Sequence, residues 1–469
     1  MQMREPIFQC LPQPRPVPLA GRNALVLGLG DTGLSMARWI ALQGGRVRAA
    51  DTRAEPPRAA DLRGALPGAE ARCGAFELSL LEGIDLVCVS PGLSLEEPVV
   101  QEAALRKIPV LGDIELFAWA LNAQAKSGVI AVTGTNGKTT VTSLTGHLLR
   151  SAGIDCEVAG NIGPAALDAW MKRSTAAPAI WVLELSSYQL EITWSLCARA
   201  ATVLNLSEDH LDRHRDFGRY AAAKQRVFRG DGMQVLNRED ARSMACALPG
   251  RQIVSFGRNA PERSGDYGIG VREGRSWLQR GEEPLLPLNE LPLFGLHNAA
   301  NALAACALAQ AAGAPLESLG AGLRSFRGLP HRVARIALRR GVAWYDDSKG
   351  TNVGATVAAL EGLGASTLLI AGGEGKGQDF SVLAPAVARH ARHVFLIGRD
   401  ASLIEQALRA CGVSLHRCES LEHAVAGAAA SARAGDAVLL SPACASFDMF
   451  RDYRHRGESF VAAVRALGD

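Results

Sequence analysis

The sequence predicts an α/β protein of three domains, each built on a mainly parallel sheet. Apolar runs of strand length alternate with helical patterns through nearly the whole chain, for example ALVLGLG before TGLSMARWIALQ and GVIAVTG before KTTVTSLTGHLLRSAG. Parallel strands need such long crossovers and are covered on both faces. Three of the runs, ALVLGLG, GVIAVTG and TLLIAGG, finish in glycine-rich turns, where an α/β sheet presents its ligand site. With 469 residues the chain also exceeds one ordinary core, taking roughly 150 residues per domain.

Composition excludes several functions. Hydrophobic residues make up 48%, charged residues 21%, and the formal net charge is +3, so no strong field argues for nucleic acid or an anionic membrane. The ten cysteines contain no C-x-x-C pair and fit neither a disulfide framework nor a zinc cluster. They read as thiols of a reducing compartment. The opening MQMREPIFQCLPQPRPVPLA carries Glu5 and several prolines where a signal peptide needs an unbroken apolar stretch, and reads as a mobile leader. No run approaches the roughly 18 apolar residues of a membrane span. The nearest, the alanine-rich 302–312 stretch, suits a helix packed closely on a sheet. A cytoplasmic protein without membrane insertion is expected.

In the first domain Gly28, Gly30 and Gly33 form G-x-G-x-x-G between a strand and a helix, and Asp51 ends the next strand. That is the literal pattern of an NAD site, although no hydride-transfer constellation accompanies it. Glycines serving only tight packing are the bland alternative.

The central run leads into Gly134-Thr135-Asn136-Gly137-Lys138-Thr139-Thr140 and an amphipathic helix to about Ala152. The spacing G-x-x-G-K-T is shorter than the usual phosphate loop, but strand, glycines, lysine, threonine and helix coincide as nucleotide binding requires. Backbone N–H groups and the helix N-terminus converge on an anion, Lys138 can reach the β- and γ-phosphates, and Thr139 can hold Mg²⁺. Glu184 ends the strand in WVLELSSYQLE, and Asp209, His210 and Asp212 follow the strand in TVLNLSEDHLDRH. A solvated turn explains either cluster alone; beside a phosphate loop in one sheet they would converge on the γ-phosphate, with ligands suited to Mg²⁺. The charge-rich stretch between residues 256 and 295 reads as hairpins attached to this domain.

In the last domain Lys349 and Thr351 of DDSKGTN, Lys376 of GGEGKGQDF, and Ser446 and Phe447 of SPACASFDMF fall at ends of predicted strands. A lone lysine is most often a solvated charge, but two lysines with small hydroxyls suit an amino acid bearing two carboxylates. The boundaries fall near residues 116 and 328. They give a Rossmann-like domain at 1–116, a phosphate-loop ATPase-like domain at 117–328 and a second Rossmann-like domain at 329–469.

Beyond these readings, TGTNGKTT, GNIG at 160–163, ELSSYQLE at 184–191, EDHLDRH at 208–214, YAAAK ending at Lys224, HNAAN at 297–301, GLPHR at 328–332 and DSKGTN at 347–352 resemble the signatures of the Mur ligases. GLGDTGLS at 28–35, DTR at 51–53, SPG at 90–92, GDIELF at 112–117 and SPACASFDMFRDYRHRGESF at 441–460 resemble the D-glutamate-adding branch of that family. The resemblance covers about residues 22 to 467, with Gly350 where alanine is common and Leu296 where glutamine is common.

The resemblance implies an ATP-dependent amide ligase that joins UDP-N-acetylmuramoyl-L-alanine to D-glutamate through an acyl phosphate. Lys138 would contact ATP phosphates, Thr139 and Glu184 would hold one Mg²⁺, and His210 with a carbamylated Lys224 would serve a second. A carbamate offers anionic oxygen where an ammonium would face two dications. Asn298, Asn301, Arg332 and Asp347 would bind the nucleoside or close the third domain over it. The UDP-linked substrate would meet Asp31, Thr32, Asp51, Thr52, Arg53, Gly92, Asn161, Ser186 and Gln189, which turns the G-x-G-x-x-G loop from NAD to uridine diphosphate. Lys349, Thr351, Lys376, Ser446, Phe447 and Tyr453 would bind glutamate, whose stereochemistry residue types alone leave open. The protein is expected to be a monomer. Another Mur ligase or a folylpolyglutamate synthase is disfavoured by DTR and SPACASFDMF, and a nucleotide-gated binding protein is the rival of another class.

Overall fold

Each of the three glycine-ended runs becomes a strand of its own sheet. A computed structural model describes residues 11, 13–124, 127–173, 177–364 and 366–467. The first sheet is parallel, in the order Glu70–Cys73, Arg46–Asp51, Asn23–Leu27, Leu86–Val89, Val110–Leu111. Chain order reverses beside Asn23–Leu27, which opens a crevice at its carboxyl end. Of the leader, residues 1–10 and 12 lie outside the described residues, but Leu11 and Leu19 are buried in the adjoining core. Leu11 and Leu19 thus anchor the described part of that stretch by their apolar side chains rather than leaving it free.

The central sheet runs Glu283–Pro287, Arg275–Arg280, Tyr267–Arg272, Ile253–Phe256, Met233–Asn237, Ala200–Val203, Gly128–Thr133, Ile180–Glu184, Cys156–Gly160. Its last six strands are parallel; the first three form an antiparallel meander at one edge, the hairpins expected between 256 and 295. Strand Gly128–Thr133 is covered on both faces: Ile130 and Val132 enter one core, Val129 and Ala131 the other. The first of these cores lies under helix Lys138–Ser151 and helix Leu296–Ala311, whose alanines allow the close approach their composition suggests.

The third sheet, Ala334–Arg339, Val342–Asp346, Ala437–Leu440, Thr367–Gly372, Ala391–Ile397, Ser414–Arg417, is parallel except at its first strand. That edge strand turns back through Arg340 and Gly341, both at positive φ (49° and 77°), a two-residue connection whose twist suits an antiparallel hairpin.

One apolar cluster runs continuously from the first sheet into the central domain. At the seam Trp170 stacks on Trp181 at 5.5 Å while the Phe117 ring meets both edge-on. Phe117 sits on helix Asp113–Gln124, so residue 116 falls inside an element shared by the two domains. The third domain has two clusters of its own, one on each sheet face. Among the described residues no helix is long and apolar enough to cross a membrane.

Candidate functional site

Strand Gly128–Thr133 delivers the loop 134–137 to helix Lys138–Ser151. Gly137 holds φ 84°, and a Cβ there would lie 2.5 Å from Asn301 Oδ1, so the loop can close on the Asn301 helix only as glycine. Lys138 curls back, donating to the carbonyls of Gly134 (2.9 Å) and Thr135 (2.8 Å). Burial pushes its pKa down, against the pull of Glu184 and Asp209. Thr139 and Thr140 occupy the first helical turn behind it.

Glu184 and Lys224 are each 2% exposed. Glu184 Oε1 accepts from Asn161 Nδ2 at 2.7 Å, whereas its buried Oε2 has no hydrogen-bond partner among the described residues. A buried carboxylate oxygen without a donor is costly unless a cation meets it. Lys224 Nζ donates to Thr133 Oγ1 at 3.3 Å and lies over the Tyr220 ring. Burial, then the charge of Lys138, push its pKa well below the ordinary lysine value. His210, at φ 55°, has its Nδ1 2.8 Å from the Tyr188 hydroxyl and its Nε2 3.7 Å from Asp209 Oδ2. Burial lowers its pKa; Asp209 opposes this, and the lysines 376, 138 and 224 add to it, so Lys376 of the third domain reaches the same field. The side chain of Asp212 lies outside the described residues.

Beside the loop a cavity of about 380 Å³ is lined by Asn136, Gly137, Thr140, Asn298, Asn301, Arg332, Asp347 and Lys349. Sequence reasoning missed Asn237, Phe256 and Arg258 among its other walls, because they come from strand ends carrying no motif, and gave no role to His297, which stands in the first turn of helix Leu296–Ala311. Asp347 accepts from Ser441 Oγ at 2.7 Å, and burial raises its pKa to about 7. Asn352 Nδ2 donates to Asn136 Oδ1 at 3.0 Å, joining the third domain directly to the phosphate loop.

A second cavity, about 620 Å³, opens at the crevice of the first sheet. Asp31, Thr32, Gly92, Asn161 and Gln189 line it, with Arg38, Arg58 and Arg454, the last from the third domain, set against Asp31, Asp61 and Asp168. Ser186 caps the helix that carries Gln189, its Oγ accepting from Gln189 N while Gln189 Oε1 accepts from Ser186 N. Gln189 Nε2 also donates to buried Asp113 at 3.0 Å, and burial raises the Asp113 pKa to about 6. Asp51, Thr52 and Arg53 are not among the lining residues. Asp51 instead accepts from Leu29 N, Arg53 N, Arg53 Nε and Arg53 Nη2, and its pKa falls to about 2, chiefly through the Arg53 guanidinium.

In the third domain Lys349 Nζ lies 3.7 Å from the centre of the Tyr453 ring. Burial first, then Arg332, lowers its pKa to about 8. Thr351 follows in the same turn, its N–H donating to Lys349 O. Ser446 is buried, and its carbonyl accepts from Met449 N and Phe450 N. Phe447 and Lys376 are exposed, Lys376 at φ 52°. Of these residues Lys349 lines the cavity beside the loop; Thr351, Lys376, Ser446, Phe447 and Tyr453 are not among its lining residues.

Three family models match in succession: Mur ligase MurD-like N-terminal domain over residues 22–112, Mur ligase middle domain over 132–309, and Mur ligase glutamate ligase domain over 331–444. Relatives from Nitrosospira multiformis and Aromatoleum aromaticum, both named UDP-N-acetylmuramoylalanine--D-glutamate ligase, are 54% and 53% identical. Each alignment spans 96% of this chain, and 96% and 98% of the relatives. Among solved structures, UDP-N-acetylmuramate-alanine ligase MurC from Thermotoga maritima aligns with TM-score 0.62 at 20% identity over 95% of this chain and 99% of that one. MurF from the same organism, in complex with ADP, aligns at 0.60 and 14% identity over 96% and 98%. The phosphate loop, the unsatisfied acid beside it and the crevice of the first sheet thus lie in a framework shared end to end with these relatives, and the chain belongs to the Mur ligase family.

Proposed function

We propose that the protein is a cytoplasmic, monomeric ATP-dependent ligase that joins the carboxylate of UDP-N-acetylmuramoyl-L-alanine to the amine of D-glutamate in peptidoglycan precursor synthesis. The observation that carries this reading is the unsatisfied Glu184 Oε2, buried beside Lys138 and Lys224, with the phosphate loop lining the cavity shared with the third domain and the Glu184 partner Asn161 lining the cavity at the first sheet.

A carboxylate is a poor electrophile because its leaving group would be oxide. Transfer of the ATP γ-phosphoryl group makes an acyl phosphate, the amine attacks it, and the tetrahedral adduct expels phosphate. Lys138 leaves the two carbonyls it now holds and turns to the phosphates, with the loop N–H groups behind it. Asn298, Asn301, Arg332 and Asp347 hold the nucleoside in the first cavity. The lone oxygen of Glu184 fits a cation, so Thr139 and Glu184 would hold one Mg²⁺, and His210 with Lys224 a second. When bound, these ions offset repulsion between the phosphate and the attacking carboxylate. No group of three or more His, Cys, Asp or Glu among the described residues could hold a metal, which accords with Mg²⁺ drawing most ligands from water and phosphate.

Depression of the Lys224 pKa favours the neutral amine, whose lone pair can attack CO₂ and lose a proton to give the carbamate. Asp31, Thr32, Gly92, Asn161 and Gln189 would bind the UDP-linked substrate. The exposed Thr52 and Arg53 would reach uracil and ribose, with Asp51 steering Arg53. Lys349, Thr351, Lys376, Ser446, Phe447 and Tyr453 would take glutamate once the third domain closes.

Incubation with ATP, Mg²⁺, the UDP-linked acceptor and D-glutamate tests the reading. Phosphate release that needs both acceptors and yields a UDP-linked dipeptide is expected. Release without them would leave the nucleotide switch, and preference for L-glutamate would overturn the stereochemical assignment.

A further inference from the structure

Arg456 is 1% exposed, and no carboxylate of the described residues pairs with it. Its guanidinium is spent on backbone instead. Nη1 donates to the carbonyls of Cys444 (3.1 Å) and Ala445 (3.3 Å), and Nη2 donates to those of Ser348 (2.8 Å) and Cys444 (3.1 Å). Nε donates to Ser348 Oγ at 3.0 Å, and that hydroxyl donates in turn to Tyr453 O at 2.8 Å. Burial lowers its pKa to about 10, so the group stays charged at neutral pH.

Two of the three carbonyls held this way directly precede a residue nominated for glutamate, Ser348 before Lys349 and Ala445 before Ser446; Cys444 lies one residue further back in the same loop, and Tyr453 lies one helical turn before Arg456. In a trans peptide C=O and N–H point in opposite directions, so fixing the Ser348 and Ala445 oxygens turns the Lys349 and Ser446 N–H groups away from the guanidinium. The Lys349 N–H obeys this, donating to His331 O on the far side. A third loop joins through the paired Glu374–Ala445 bridge, which leads two residues on to Lys376.

We infer that Arg456 is a positioning residue for the amino acid substrate, a buried planar fork that fixes the loops bearing Lys349 and Ser446 and the helix bearing Tyr453 in one mutual geometry. It touches no substrate. A lysine would keep the charge but could not span three carbonyls and a hydroxyl in one plane. The inference rests on the glutamate reading of these loops.

The test is steady-state kinetics of Arg456→Lys in the full-length enzyme, with titrations of ATP and of the UDP-linked substrate. The KM for D-glutamate should rise about tenfold or more while kcat and the KM for ATP move less than about threefold, and both titrated affinities hold. Equal loss toward every substrate, or an unchanged KM for D-glutamate, overturns the inference. Should Arg456→Lys not fold, Ser348→Ala decides. Removing its hydroxyl should raise the KM for D-glutamate several-fold with ATP unaffected, and an unchanged KM counts against the fork. A wild-type enzyme that ignores D-glutamate would remove the underlying reading, whereas a competent wild type with an unsplit variant would remove only this inference.

Discussion

The glycine-rich turns of the first and central domains both join a strand to a helix, and they differ in what happens to the acid beside each. At residues 28–33 the fit is tight: a Cβ on Gly33 would come 1.8 Å from Gly28 O. The acid of that region, Asp51, takes four N–H donors from its own chain and is fully satisfied. At residues 134–137 the acid is Glu184, one oxygen bound by Asn161 and the other by nothing among the described residues, with two buried lysines near it. A satisfied acid holds a framework; an unsatisfied one beside buried lysines leaves an oxygen open to a ligand's charge. Motif spacing does not separate the two, and read by spacing alone the first turn is a dinucleotide site.

If this contrast is right, the largest effects belong to the unsatisfied side. Lys224→Ala should lower kcat on the order of a thousandfold with a smaller change in ATP affinity, and acetate should partly restore turnover as a surrogate anion. Near-normal activity would reduce Lys224 to a packed side chain. Next, Lys138→Ala should lose about a hundredfold in turnover while calorimetric affinity for the UDP-linked substrate persists, since no residue of the 134–140 loop lines the second cavity. Loss of that affinity in folded protein would break the separation of the two sites.

On the satisfied side the effects are smaller and of another kind. Arg53→Ala should weaken the UDP-linked substrate about tenfold without altering the ATP KM. Saturable micromolar NAD binding to the wild type would instead revive the dinucleotide reading. The smallest effect is on stability. Because Asp51 has a folded-state pKa lowered to about 2, it stabilises the fold above pH about 4 and loses that contribution as pH falls toward 2. With Arg53 half-exposed, about 1 to 2 kcal/mol is expected. Asp51→Asn should lower the urea midpoint at pH 7 and flatten the acid limb; an unchanged acid limb would mean that the pairing carries no stability.

Features that depend on near neighbours along the chain were legible before folding. Alternating apolar runs specified three sheets, Gly134 and Gly137 between an apolar run and a helical pattern specified a tight strand-to-helix turn, and the charge-rich stretch specified its hairpins. Strands Glu70–Cys73 and Cys156–Gly160 escaped notice because they are short and mix polar with apolar residues at sheet edges. Tertiary structure alone decided which charges are used up. Asn352 reaches Asn136 across 216 residues, Arg456 reaches Ser348 across 108, and Gln189 reaches Asp113 across 76. Hydrogen-bond satisfaction is settled by donors and acceptors that meet only after the chain has folded. Residue type could therefore nominate Asp51 and Glu184 alike, while the folded contacts closed one and left the other open.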